Sequence, residues 1–359
     1  MTPADLSRTV LRAVRRAVDE DALRAPVPAR VRVERTRPGG SGDYACAVAL
    51  QLAGPAGLPA RGVAEILRER VAGAPGIGRV EITGPGFLNF TLDATTGAET
   101  RAARVREVRE LGLRYGRVAT EAGRLQRLHH PREIRAAVLA QSVARLLRTQ
   151  GGQVIVSCTE EPGPRWEELG VRTGPHPGAE ETEKTVESAG IRAVPAGATA
   201  GALVDRLGRD AALWGLQRPA AHDHAPLGDG LLVQGETNPL FLVRYAHARA
   251  RALTREAERL GLTAGYDTDV DAPALHTALA DHPGVLATAA RLHAPDRVAR
   301  HLETVADAFL DFHGTTPPLP VGDEKPSAAH RSRLALAEAA GTVLAGGLFV
   351  LGIHAPPHV

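Results

Sequence analysis

The chain has 359 residues, 43% of them hydrophobic, which is more than one compact domain usually needs and excludes a disordered polymer. Forty-three basic residues against 41 acidic ones leave a net charge of +2. Nucleic-acid binding through bulk charge is therefore excluded, and only a local basic face could hold a phosphate backbone.

Residues 4–19 carry Leu6, Val10, Val14 and Val18 at helical spacing, and Pro26 and Pro28 end the element. Val31 and Val33 alternate with arginine as an edge strand would, and the glycines of 39–42 make a turn. GDYACAVALQLAG (42–54) reads as a buried segment. Residues 59–72 read as a helix, and 80–82 with 87–92 as a β-hairpin. Residues 101–150 hold twelve arginines and four acidic residues, and 151–200 reverse the balance with eight acidic and four basic. The first stretch runs as a helix to Gly151-Gly152 and then into a short β run, Val154–Val156, which suggests the opening of a βαβ unit. Residues 160–200 are rich in Gly, Pro and Glu and are expected to form a mobile acidic loop. Helices follow at 201–216, 237–260, 273–293, 297–313 and 327–346, with Gly314 and Gly346-Gly347 placed at helix ends. In the fourth of these, Val298, Leu302, Val305, Phe309 and Phe312 form one apolar stripe.

The expected fold class is multidomain, α/β plus all-α. It comprises a small N-terminal α/β domain (1–95), a reduced Rossmann-like remnant (96–236) that includes the acidic loop, and a C-terminal α-helical bundle (237–359). No apolar run is expected to span a bilayer, and no secretory leader is expected at the N-terminus. Cys46 and Cys158 are too few for a disulfide framework or a zinc cage. A reduced, cytoplasmic protein is the expectation.

These pieces resemble arginyl-tRNA synthetases. GDYACAVALQL (42–52) and VEITGPGFLNFTL (80–92) resemble their N-terminal additional domain. NPLFLVRYAHARA (238–250), HLETVADAFLDFH (301–313) and RLALAEAAGTVLAGGLFVLGIHAP (333–356) resemble their DALR anticodon-binding bundle. GALVDRLGRDAALWGL (201–216) resembles the piece after their second signature motif, and RAAVLAQSVARLLRTQGG (135–152) the helix after the first. The resemblance implies a class I core that binds ATP through His-x-Gly-His and Lys-Met-Ser-Lys-Ser.

The departures bear on that implication. The first-motif position reads His130-Pro131-Arg132-Glu133: arginine stands where glycine admits the adenine, and glutamate where the second histidine meets the phosphates. A carboxylate there repels a triphosphate, and the added side chain obstructs the nucleotide. The lysine motif is absent, and Lys184 and Lys325 are the chain's two lysines. The stretch 158–200 is also too short for the missing core strands. ATP binding is therefore expected to be lost, leaving no catalytic residues and no cofactor.

The resemblance implies that tRNA is held by Tyr245 through base stacking and by Arg249 through phosphate, with His247 and Asn238 on the same helix. Asn89 is the candidate contact to the tRNA elbow. Phe87 and Phe90 read as core, Asp43 and Tyr44 as braces, and Arg244 as plain surface. His222-Asp223-His224 lacks a third metal ligand and reads as a polar loop. Three functions follow in order of preference: a non-catalytic tRNA-binding paralogue, a protein-interaction subunit that reuses the tRNA surfaces, and an active arginine–tRNA ligase. A continuous basic face joining 101–150 to the YAHAR helix would favour RNA, and a broken or covered one would favour a protein partner. The ending Pro356-Pro357-His358-Val359 departs from the family's and suggests relaxed anticodon discrimination.

Overall fold

A computed structural model of the chain describes residues 3–36, 41–158, 160–172 and 187–358. Lys184 lies outside the described residues. The chain divides into two compact units, Met1–Ala103 and Arg104–Val359.

The first unit is a four-stranded antiparallel sheet backed by helices. Its elements are α1 (Pro3–Asp19), β1 (Val33–Arg35), β2 (Tyr44–Cys46), α2 (Val48–Ala56), α3 (Ala60–Val71), β3 (Ile77–Thr83) and β4 (Phe87–Leu92). The strand order is β1-β2-β4-β3. Cys46 pairs with Leu88 and Leu88 with Ile82, while Tyr44 pairs with Phe90 and Phe90 with Val80, so these six share the core face. Leu6, Val10 and Val14 of α1 and Val63, Leu67 and Val71 of α3 complete that core. The segment 42–54 resolves into a strand followed by a helix. Its braces are as expected: the Asp43 carboxylate accepts from the Leu92 amide at 2.8 Å, and Tyr44 is buried.

Helix α4 (Ala94–Leu111) leads into the second unit, where β5 (Leu125–His130), α5 (Ile134–Thr149) and β6 (Gln153–Cys158) form a βαβ unit. A third parallel strand, β7 (Glu187–Gly190), gives the order β6-β5-β7. The expected loop at 160–200 is thus partly structured. Trp166–Leu169 forms a 3-10 turn whose Trp166 and Leu169 are buried, and β7 pairs with β5. Glycine and proline marked the breaks there, but a four-residue strand is too short to leave a periodicity. The single helix expected at 201–216 is two, α6 (Ala200–Leu207) and α7 (Arg209–Gln217), broken at Gly208 with φ +73°.

The bundle is α8 (Pro239–Arg259), α9 (Pro273–Leu292), α10 (Asp296–Thr315) and α11 (Ala328–Leu351). Val298, Leu302, Val305, Phe309 and Phe312 are all buried. Gly314 falls in the last turn of α10, one residue before its end, while α11 runs past the expected stop at Gly346-Gly347 to its left-handed cap at Gly352. Gly347 serves packing, since a Cβ there would come within 2.5 Å of Leu302. Helix α11 is also long and apolar enough to cross a membrane, with mean hydropathy 1.9, contrary to the expectation that no run would be. Its apolar window is 72% buried inside the unit, so the composition is that of a core helix.

Candidate nucleic-acid interface

The first-motif residues lie where β5 turns into α5. His130 closes β5 with no exposed surface, beside Cys158 of β6. Its Nδ1 bonds the Pro131 carbonyl at 2.9 Å, its Nε2 is buried without a partner, and burial holds it below its ordinary pKa. Trp166 packs against the imidazole with ring centroids 6.2 Å apart. Arg132 turns away and donates to the Glu161 carbonyl at 2.9 Å.

Glu133 is the N-cap of α5. One carboxylate oxygen accepts from the Ala136 amide at 2.8 Å, and the other accepts from the Ala196 amide at 2.9 Å. A helix N-terminus attracts an anion, and here the chain supplies its own. Arg135, fully buried, spreads its guanidinium over the carbonyls of Val194, Leu216, Pro219, Ala220 and Asp223. It therefore holds the loop after α7 against α5. In that loop His222 and Asp223 are exposed, and no metal-binding cluster of His, Cys, Asp and Glu occurs among the described residues.

The RNA candidates separate by their position on α8. Tyr245 is 42% exposed and stacks on Phe241, centroids 5.9 Å apart and 13° from parallel. Arg249, one turn on, is exposed and donates to His313 Nε2 at 3.0 Å. Three other candidates turn inward, against expectation. His247 is buried, with Nδ1 bonded to the Pro356 carbonyl at 2.9 Å. Asn238 caps α8: its Oδ1 accepts from the Leu240 amide, and its amide nitrogen donates to the carbonyls of Leu231 and Val233. Asn89, in the first unit, is 5% exposed and donates to Thr83 Oγ1 at 2.6 Å. All three side chains satisfy polar groups of the fold itself. Arg244, expected as plain surface, is half-buried with an Nε that has no partner.

The arginines of 101–150 are in part engaged within the fold. Arg104 pairs with Glu107, Arg109 with Glu338, and Arg124 with Glu121 and Glu187. Arg145 and Arg148 donate to the carbonyls of Val350 and Val154. Arg114 and Arg117 are exposed. Of the carboxylates in these pairs, only Glu187 and Glu338 lie outside 101–150, so most of the positive excess of that stretch persists.

A sheet-and-helix first unit, a βαβ core and a four-helix bundle opened by an aromatic and arginine helix define an aminoacyl-tRNA synthetase-like chain. Comparison with known proteins agrees in detail. The arginyl tRNA synthetase N terminal domain family matches residues 5–92, and the DALR anticodon binding domain family matches 243–359. The arginine–tRNA ligase of Micrococcus luteus is 27% identical over 557 aligned positions, covering 99% of this chain and all of that protein. With 359 residues here, much of that alignment is gap. The ligase of Kineococcus radiotolerans is 41% identical over 167 residues, 43% of this chain and 29% of its own. Two solved structures share the fold over the full length of both chains: Thermus thermophilus arginyl-tRNA synthetase (TM-score 0.68, 14% identity) and the Plasmodium falciparum enzyme (0.73, 8%). The chain belongs to the arginyl-tRNA synthetase family.

Proposed function

We propose that the chain is a non-catalytic member of this family that binds tRNA weakly and takes no ATP at the first-motif position. The observation that carries the reading is Glu133: its carboxylate already occupies the α5 N-terminus, bonded to two amides. A triphosphate would have to displace a covalently tethered anion and would meet its charge. Trp166 against His130 adds bulk beside the same turn. The missing lysine motif removes the cations that phosphoryl chemistry needs. The exposed Tyr245–Arg249 face and the DALR match support retention of tRNA. A cytoplasmic location accords with this reading.

Arginine-dependent pyrophosphate exchange and aminoacylation by the purified chain should both be at background. Robust turnover would overturn the reading. Arg132→Gly with Glu133→His should not restore activity, because the lysines remain absent. Glu133→Ala should cost about 1 kcal/mol of stability as a lost cap, read by denaturant melts.

Binding to arginine tRNA should be on the order of micromolar and salt-sensitive. Tyr245→Ala should weaken it by roughly 1–3 kcal/mol in filter binding, and Arg249→Ala should flatten the salt dependence. The pairing of Arg104, Arg109 and Arg124 with carboxylates favours a second reading, a protein-interaction subunit. Absence of tRNA binding at low salt would select that reading.

A further inference from the structure

The stacked pair on α8 is one end of a longer feature. Phe241 belongs both to the stack with Tyr245 and to the wall of a groove of about 640 Å³. The groove runs from the first turn of α7 to the first turns of α8, and its far wall is the segment Leu231–Gln234. Two apolar side chains stand open there, Leu232 at 48% and Val233 at 46% exposure. Apolar groups left this accessible beside an aromatic stack are suited to flat, partly apolar ligands. Arg244 lines the same groove from α8, and its buried Nε has no hydrogen-bond partner among the described residues. Arg209 lines the α7 end, where Asp210 accepts from Arg209 at 3.0 Å and from the His354 amide at 3.3 Å. That carboxylate is already answered, so the net charge the groove offers is the cation of Arg244.

We propose that this groove continues the RNA face. One base stacks on Tyr245 and Phe241, the neighbouring nucleotide lies in the groove against Leu232 and Val233, and Arg244 holds the phosphate between them. The inference rests on the tRNA-binding reading and extends it to a second nucleotide and a further cation. Its occupant is single-stranded RNA for two reasons. The groove is continuous with an aromatic platform, and neither Arg244 nor Arg249 is paired with a carboxylate among the described residues, which leaves two cations flanking the rings. Consecutive bases on aromatic and apolar surfaces, with arginine tracking the backbone, are the general pattern of single-strand binding. The open Leu232–Val233 pair is otherwise unaccounted for by packing.

The test uses the full chain and two RNAs, whole arginine tRNA and its isolated anticodon stem-loop, titrated by filter binding at two salt concentrations. Arg244→Gln should weaken binding to both RNAs and lower the salt slope by about one. Val233→Asp should weaken binding about tenfold by placing a carboxylate against the phosphates, and Val233→Ala should have a smaller effect. Melting curves on each variant exclude misfolding as the cause, and Arg244→Lys should recover part of the salt slope. If Tyr245→Ala weakens binding while Arg244→Gln and Val233→Asp leave affinity and slope unchanged, the groove is not part of the RNA path and this inference fails while the tRNA reading stands. If the wild-type chain binds neither RNA at low salt, both fail.

Discussion

Lowering the pH from 7 to 4.5 is expected to destabilise the second unit steeply, through two histidines in the bundle core. His282 of α9 and His301 of α10 stack with ring centroids 5.3 Å apart, and Tyr115 stacks on the other side of His282 at 5.9 Å. Burial pushes His282 down to about 3, with the neighbouring His301 adding to the effect, and burial pushes His301 down to about 4. Unfolded, each would titrate near 6.5. Between pH 6.5 and 4 the unfolded chain therefore binds protons that the folded chain refuses, and stability falls as pH falls through that window. At pH 4.5 the pair should account for about 5 kcal/mol of lost stability, comparable to the whole margin of a typical domain. The measurement is a series of thermal melts from pH 7 to 4.5. In His282→Phe/His301→Phe the slope should flatten, and stability at pH 7 should hold, because each ring carries a buried nitrogen with no partner. An unchanged slope in that variant would assign the acid sensitivity to other groups.

The second large effect concerns how the unit is divided. A fragment of residues 237–359 is expected to melt without cooperativity, whereas 104–359 should melt as one body. The sequence reading sets the bundle at 237–359, with a boundary at 236. The structure instead ties the end of α11 to the remnant. Arg145 of α5 donates to the Val350 carbonyl at 2.7 Å and to Ser142 at 2.9 Å, and Gln217 of α7 donates to the Leu351 carbonyl at 3.0 Å. The last two carbonyls of α11, those of Val350 and Leu351, are thus satisfied by side chains from outside the bundle, while the Gly352 cap serves those of Leu348 and Phe349. Helix α5 shows the same dependence from its own side: thirteen of its sixteen residues are buried. A helix apolar on nearly every side is core, not surface. Arg145→Ala in the full chain should cost about 2–4 kcal/mol, since it strands a buried carbonyl and leaves a cavity. Cooperative unfolding of the 237–359 fragment would show that these bonds are incidental.

Particular residues also indicate what the sequence could and could not convey. The stripe of α10 was legible because every member is apolar and the helical period repeats over about four turns. β5 was not, because its inward residues include Gln126 and His130, and a strand whose buried face is polar leaves no hydropathy signal. Tyr245 and Arg249 were singled out by the resemblance of their helix to the family's, and both are exposed. Asn238, Asn89 and His247 were misread for a common reason. Residue type says that a side chain can form hydrogen bonds, not whether its own backbone already claims them. The partners of the arginines at 101–150 were not legible either, because Val350 and Glu338 lie some two hundred residues away.

Glu133 also makes a histidine at its position costly to introduce. Its carboxylate satisfies the amides of Ala136 and Ala196, one in the helix and one in a distant loop. Histidine placed there alone would give up those two bonds, with Arg132 still beside it and no lysine motif in the chain. On the function proposed above, that single change lowers stability and brings no chemistry, so selection for a folded chain alone keeps the glutamate.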